Sequence, residues 1–465
     1  MTEKINQTLR DSSVARWTAL AIVAFTMLCG YYLADVMAPL KGLLEQQLSW
    51  NSEEYGFFTS AYGWFNVFLF FLIIGGIILD KMGVRFTGMM ATILMVIGIA
   101  IKYWAVSTHS LDGQVWDLLL FESKAQVFVA GLGFAIFGVG VEVAGITVSK
   151  IIVKWFKGKE MALAMGLEMA TARIGTGLAI GTSLPIAKYF GTVSMPLLFG
   201  LIMACIGLIS FFFYTFQDKK LDASQAAYDK DNEVVDDEEA FKIKDILNII
   251  TNKGWWYIAI LCVLFYSAVF PFLKYATDLM VQKFGVDEKW AGLIPALLPF
   301  GTIFLTPFFG NLYDRKGKGA TIMIIGSFII VLVHALFSVP FLSHWIIAIF
   351  LIILLGIGFS LVPSAMWPSV PKIIPEKQLG TAYSLIFWVQ NWGLMGVPAL
   401  IGWVLNTYCI TGQITVDNQT VNTYNYTLPM IIFTGFGVLA ILFAFLLKIE
   451  DKKKGYGLQL PNIKK

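Results

Sequence analysis

Charge is what this sequence has least of. Asp, Glu, Lys and Arg make up 14% of its 465 residues, against roughly 25% in a water-soluble chain. A soluble protein of this length divides into domains, each wrapped in a polar shell, and there is too little charge here to make those shells. Cysteine is also sparse. Cys29, Cys205, Cys262 and Cys409 are scattered without metal-binding or redox spacing, and read as packing residues. No nucleophile–base pair, metal-ligand cluster or phosphate-cradling glycine loop stands in a polar segment, so neither catalysis nor a cofactor or metal is expected. The net charge of +3 gives no footing for nucleic acid. Apolar residues are plentiful, at 57% of the chain. They fall in runs longer than the ~20 residues that cross a ~30 Å hydrocarbon layer as a helix. The chain reads as an integral membrane protein with lipid around it.

Twelve spans are expected, at 17–40, 55–79, 86–106, 126–154, 160–189, 193–216, 254–284, 289–313, 320–342, 345–372, 378–407 and 428–448. Their Leu, Ile, Phe, Gly and Ala content, without polar alternation, marks helices rather than barrel strands. The first span has no short apolar region with a small-residue cleavage site before it, so no removable signal is read. Most of the 34 Lys and Arg fall in the even-numbered connections and the two tails. The odd-numbered connections are acidic or neutral, as in Ser52-Glu53-Glu54. Both termini are therefore expected on the cytoplasmic side. The fold class is an all-α membrane protein, with an arm at 1–16, a six-helix bundle at 17–217, a charged linker at 218–253, a second six-helix bundle at 254–449 and a basic tail at 450–465. The linker, with Asp236-Asp237-Glu238-Glu239 at its centre, reads as a solvated connector with one amphipathic turn near 241–249.

An internal repeat supports the two bundles. Gly76, Asp80 and Gly83, followed by Arg85, close the second span, and Gly310, Asp314 and Gly317, with Arg315 among them, close the eighth, 234 residues later. Glycine lets helix ends approach, and aspartate accepts hydrogen bonds from facing helix amides or pairs with basic neighbours. These residues either shape a turn or form a breakable latch between rocking bundles, and the latch is the expectation.

A charge at mid-bilayer costs at least ~2.5–3.5 kcal/mol and needs a reason. Glu142, in Gly138-Val139-Gly140-Val141-Glu142, lies about 12 residues from the basic end of the fourth span, and Arg173 about 13 from that of the fifth, so both sit near the midplane. They either tie two helices together as an ion pair or form a charge-separated clamp, a carboxylate for an ammonium and a guanidinium for a carboxylate. Asp35, after Tyr31 and Tyr32, faces a cavity or carries a proton. Glu168, a candidate for gating or coupling, points to a different helix face from Arg173. Lys274 and Asp278 are spaced to pair on one face, nearer the outer end, in a gating role. His334 is read as a satisfied helix histidine. Trp367, Trp388, Gln390, Asn391 and Trp392 are candidates to line the second bundle.

With two pseudo-symmetric halves and a Gly-x-x-x-Asp-(Arg/Lys)-x-Gly loop in each, the sequence resembles the major facilitator superfamily. That implies a central cavity opening alternately to each side. Within it, Glu142, Trp155-Phe156-Lys157-Gly158-Lys159-Glu160, Ala172-Arg173-Ile174-Gly175, Ala268-Val269-Phe270-Pro271-Phe272, Met366-Trp367-Pro368, Pro375-Glu376-Lys377-Gln378-Leu379-Gly380-Thr381-Ala382-Tyr383 and Gln390-Asn391-Trp392-Gly393-Leu394 are similar to the lysosomal dipeptide uniporter branch. The resemblance implies a dipeptide as the small-molecule substrate, Glu142 receiving its amino end and Arg173 its carboxyl end. A glycosylated accessory subunit belongs to that branch, but nothing in this sequence demands one. Asn418-Gln419-Thr420 and Asn425-Tyr426-Thr427 fit acceptor sequons. Short tails suit a bacterial inner membrane better than a lysosomal one. The fourth span lacks the embedded arginine, and the first the Glu-x-x-Glu-Arg pattern, of proton-coupled relatives, so uniport is expected. The alternatives are a carrier of another small zwitterion or organic anion, such as a sugar acid, using Arg173 and Lys274, or a receptor that does not transport.

Overall fold

The computed structural model describes residues 9–118, 122–156, 159–232, 243–375, 378–416 and 419–462. In the first half, α1 (Ser13–Asp35) leads through a 3-10 turn into α2 (Lys41–Leu48), followed by α3 (Ser52–Ser60), α4 (Trp64–Phe68) and α5 (Phe71–Ser107). A short hairpin of β1 (Val115–Asp117) and β2 (Glu122–Lys124) precedes α6 (Ala125–Phe156), α7 (Met161–Phe190) and α8 (Met195–Asn232). After α9 (Ile243–Ile250) the second half comprises α10 (Lys253–Phe284), α11 (Glu288–Ala291), α12 (Leu293–Lys316), α13 (Gly319–Ser338), α14 (Trp345–Ile373) and α15 (Leu379–Tyr408). An antiparallel hairpin of β3 (Ile410–Val416) and β4 (Gln419–Tyr424) then leads into α16 (Thr427–Lys454).

Among the described residues, ten helical stretches are long and apolar enough to cross a membrane. The expected twelve differ from these at two places. The second span is broken into α3, a 3-10 turn, α4 and the start of α5, with Phe70 left-handed at φ 55°. It then runs on into the third, and α5 carries both, bending at Gly83 (φ 74°). The fifth span, α7, is long enough, but Thr171, Arg173, Thr176, Thr182 and Ser183 dilute its apolar character.

The charged connector does not begin at residue 218. Helix α8 continues to Asn232, and Asp218 is fully buried, accepting from Lys154 at 2.8 and 2.9 Å and from the Tyr214 hydroxyl at 2.9 Å, with Arg85 3.5 Å away. A carboxylate with that many donors is held by its partners rather than by water. The amphipathic turn appears as α9, with Ile249 buried. Phe241, the acidic run 236–239 and Asn418 lie outside the described residues.

The first bundle packs α5 on α6 and α1 on α7 and α8, and the second packs α13 on α14 and α16 and α10 on α15 and α16. The bundles meet where α3 lies on α15 and α7 on α12. The first of these contacts is backbone-close, since a Cβ on Gly402 would lie 2.4 Å from the Ser52 carbonyl.

The two ends of this seam differ. At the end of the basic connections the ties stay within one bundle or its tail: Arg16 to Glu160 (3.2 Å), Asp11 to Lys159 (2.9 Å), Asp80 to Lys150 (2.9 Å), Arg85 to Asp222 (2.8 Å), and Asn462 to Asp314 (2.7 Å). At the opposite end they cross. Lys274 reaches Asp35 (2.6 Å), Lys41 reaches Asp278 (2.9 Å), the Tyr55 hydroxyl donates to the Lys274 carbonyl (2.8 Å), and Lys188 pairs with Glu288. The bundles are fastened at the end away from the basic connections. Among the described residues no ion pair or hydrogen bond joins the repeated glycine–aspartate turns across the bundles in this state, Gly76 and Gly310 border open space, and Arg315 is exposed.

Candidate functional site

The break in the second span has a use. Its 3-10 turn lies on α6 at Gly138, where a Cβ would come within 2.2 Å of the Tyr62 carbonyl, so only glycine allows the approach. The turn directs the Tyr62 hydroxyl to donate 2.8 Å to Glu142 Oε1. Asn391, from α15 of the other bundle, lies beside the same carboxyl group, and its own side-chain oxygen is buried without a partner among the described residues. Glu142 is thus half-buried between two polar groups of different bundles, with no cation paired to it among the described residues.

Arg173, on α7, is surrounded by rings. Its guanidinium carbon lies 5.5 Å from the ring centre of Tyr31 and 5.4 Å from those of Phe270 and Phe359, the last two contributed by the second bundle. Cation–π contact stabilises a guanidinium without using its hydrogen-bonding fork. No ion pair joins it to any carboxylate among the described residues, so the helix-tying pair with Glu142 is not formed. Tyr31, whose ring lies against the Arg173 guanidinium, is also a neighbour of Glu142. The two ionisable groups therefore share one region, each held by uncharged partners.

The aromatic surface continues into the second bundle. Tyr266 stacks on Phe270 (5.3 Å), the Trp367 indole donates 3.2 Å to the Tyr266 hydroxyl, and Tyr383 and Phe387 pack on Trp367 at 5.9 and 5.1 Å. Trp367 therefore belongs to this wall. Trp388 does not: its indole donates 3.2 Å to the Val67 carbonyl and its ring stacks on Phe70, so it bridges the bundles at the break, with Trp392 exposed beside it. Gln390 is buried within its own bundle, accepting from the Cys262 thiol at 3.5 Å. Glu168 is half-exposed on α7, where Arg173 is a charged neighbour.

At the fastened end the expected Lys274–Asp278 pair is not formed. Lys274 donates instead to the Ala34 carbonyl (2.7 Å) and to Asp35, while Asp278 takes Lys41 and the Tyr426 hydroxyl. Partners across the seam win over the neighbour one turn away, because they remove two otherwise uncompensated buried charges at once. Asp35 is thereby drawn into the seam rather than the cavity. His334 is satisfied only in part: one ring nitrogen, Nε2, lies 2.8 Å from the Ala268 carbonyl, while Nδ1 is buried with no hydrogen-bond partner among the described residues. Tyr62, Lys41 and Lys102 were not singled out by sequence. The two lysines stand at span ends, where lysine ordinarily snorkels, and both are buried.

Residues 20–398 match the family model described as Major Facilitator Superfamily. Among characterised proteins, the chain is 27% identical over 403 residues to the lysosomal dipeptide transporter MFSD1 of Bos taurus, covering 84% of this chain and 80% of that one. The Homo sapiens protein of the same name is 26% identical over 402 residues, with the same coverage. Among solved structures, a mutant form of the nucleoside transporter NupG aligns with a TM-score of 0.67 at 15% identity, over 93% of this chain and 99% of that one. A mutant form of the peptide transporter POT aligns with a TM-score of 0.65 at 14% identity, over 95% of each. These structural likenesses establish the fold. The chain belongs to the major facilitator superfamily and is a membrane transporter, not an enzyme.

Proposed function

We propose that the chain is a dipeptide facilitator working by alternating access, with both termini cytoplasmic, and that Glu142 and Arg173 receive the amino and carboxyl ends of the substrate. The observation that carries this is the separation of the two charges. A carboxylate and a guanidinium in one region of the membrane-spanning helices would ordinarily neutralise each other. Here Glu142 is held by Tyr62 and Arg173 by three rings, which leaves an ammonium site and a carboxylate site open to a zwitterion. The relationship to dipeptide transporters points to the same substrate. A sugar acid shared between Arg173 and Lys274 is disfavoured, because Lys274 is spent on Asp35 and the Ala34 carbonyl.

The test is counterflow of labelled dipeptide in proteoliposomes. Native protein should exchange dipeptides, and neither Glu142→Gln nor Arg173→Ala should. N-acetylated and C-amidated dipeptides should compete poorly. Undiminished flux in the double variant would overturn the clamp.

A further inference from the structure

Lys102 takes no part in the site above, yet it is completely buried in α5. Its Nζ donates 3.2 Å to the Leu33 carbonyl of α1 and lies 4.2 Å from the ring centre of Phe134, with Phe137 at 5.7 Å and Phe58 at 5.8 Å. No carboxylate pairs with it among the described residues. A cation in a membrane span held only by a carbonyl and ring faces is costly, and cations there normally have a counter-ion.

Asp35, two residues beyond the Leu33 carbonyl that Lys102 holds, and Lys274 are charged neighbours of Lys102. Asp35 is itself neutralised by Lys274, which belongs to the other bundle. Alternating access requires the fastened end to part, and parting removes Lys274 from Asp35. The carboxylate would then stand almost buried in its own bundle without a cation, the situation most damaging to a buried pair. That bundle already holds a lysine whose ammonium contacts the end of α1. The flexible four-carbon stem of lysine lets its ammonium change partners within the bundle.

We propose that Lys102 is the exchange partner of Asp35, taking over its carboxylate when Lys274 withdraws and so stabilising the state open at this end. Lys102 is a positioning residue: it touches no substrate and sets the balance between the two states. The inference needs only that the bundles alternate, and does not depend on what is carried.

The test reads opening directly, without substrate. Thr277 is buried at 2% exposure and lines a cavity of about 220 Å³ at the fastened end. A Thr277→Cys chain in lipid nanodiscs is alkylated with a hydrophilic maleimide, and the four native cysteines are subtracted using the chain without that substitution. Lys102→Met should slow alkylation about tenfold, as expected when one of two states loses a counter-ion. Lys274→Met should accelerate it. Asp35→Asn/Lys102→Met should label at the rate of Asp35→Asn alone, because without the carboxylate the lysine has nothing to compensate. Lys102→Arg, which keeps the charge, should stay near the native rate. An unchanged rate in Lys102→Met overturns the proposal, as does a slowing that Asp35→Asn leaves in place. Should Lys102→Met fail to fold, Lys102→Gln, which also removes the charge, is read by the same criteria.

Discussion

Lys41 of the first bundle lies 2.9 Å from Asp278 of the second, with its ammonium 4.1 Å above the Tyr424 ring and with Glu45 3.8 Å away. Both partners are buried, and the β3–β4 hairpin covers them, with the Tyr424 hydroxyl donating 2.9 Å to Glu45. Removing one member of a buried pair costs about 3–5 kcal/mol, mostly because the other is left uncompensated. Lys41→Met should therefore lower the melting temperature clearly, while Lys41→Met/Asp278→Asn should recover much of the loss. Thermal unfolding of the purified variants checks this. Equal losses in the single and double variants would show that the pair matters only as packing.

The Tyr62 hydroxyl fixes one oxygen of Glu142, and a hydrogen bond to a charged group contributes about 1.5–3 kcal/mol. Tyr62→Phe should weaken dipeptide binding by roughly ten- to a hundredfold. It should leave the already weak competition by N-acetylated dipeptides almost unchanged, since these present no ammonium to the carboxylate. Competition binding with matched free and acetylated peptides distinguishes this from a general loss of structure, which would weaken both.

The sequence made the two-bundle plan legible because lipid leaves little freedom. Span lengths and basic connections follow from the cost of exposing backbone and charge to hydrocarbon, and the 234-residue repeat marks two like halves. Glu142 and Arg173 stood out for the same reason. Less legible was whatever tertiary contact decides. The run through Tyr62 reads as one continuous span, and only its seat on Gly138 explains the turn that aims the hydroxyl. Lys274 and Asp278 have the spacing of a pair, but each has a partner in the other bundle, and helical periodicity carries no information about facing helices. Asp218 looked like the start of a solvated linker because its partners Lys154, Arg85 and Tyr214 come from three helices far apart in sequence or a turn away.

On the second-bundle side, the wall near Arg173 is built of rings, those of Tyr266, Phe270, Phe359, Trp367, Tyr383 and Phe387. A substrate whose carboxylate meets Arg173 sets its C-terminal side chain against that surface. Dipeptides ending in Phe or Leu should bind more tightly than those ending in Gly, by about 1.5–3 kcal/mol for a fully buried side chain, and those ending in Asp should bind worst. Trp367→Ala should flatten the Phe-to-Gly ratio while leaving Gly-Gly binding near its native value. A ratio unchanged by that substitution would place the side chain elsewhere.

The repeated motif offers glycines of unequal weight. Gly83 and Gly317 both adopt positive φ, 74° and 67°, where a side chain strains the backbone. At Gly317 a Cβ would also meet the C-terminal segment, 2.5 Å from the Gln459 carbonyl and 2.6 Å from Pro461 N. That segment is held to the turn by hydrogen bonds from the Lys318 and Gly319 amides to the Gln459 and Leu458 carbonyls at 2.9 and 2.8 Å. Gly76 and Gly310 are helical and face open space. Gly317→Ala should therefore be the most destabilising of the four, Gly83→Ala intermediate at about 1–2 kcal/mol of strain, and Gly76→Ala and Gly310→Ala close to neutral for folding. Melting temperatures of the four variants give the order. Counterflow rates then separate a turn from a latch: Gly76→Ala or Gly310→Ala slowing transport at native stability would mean that the open space is occupied in the other state, when the basic end closes.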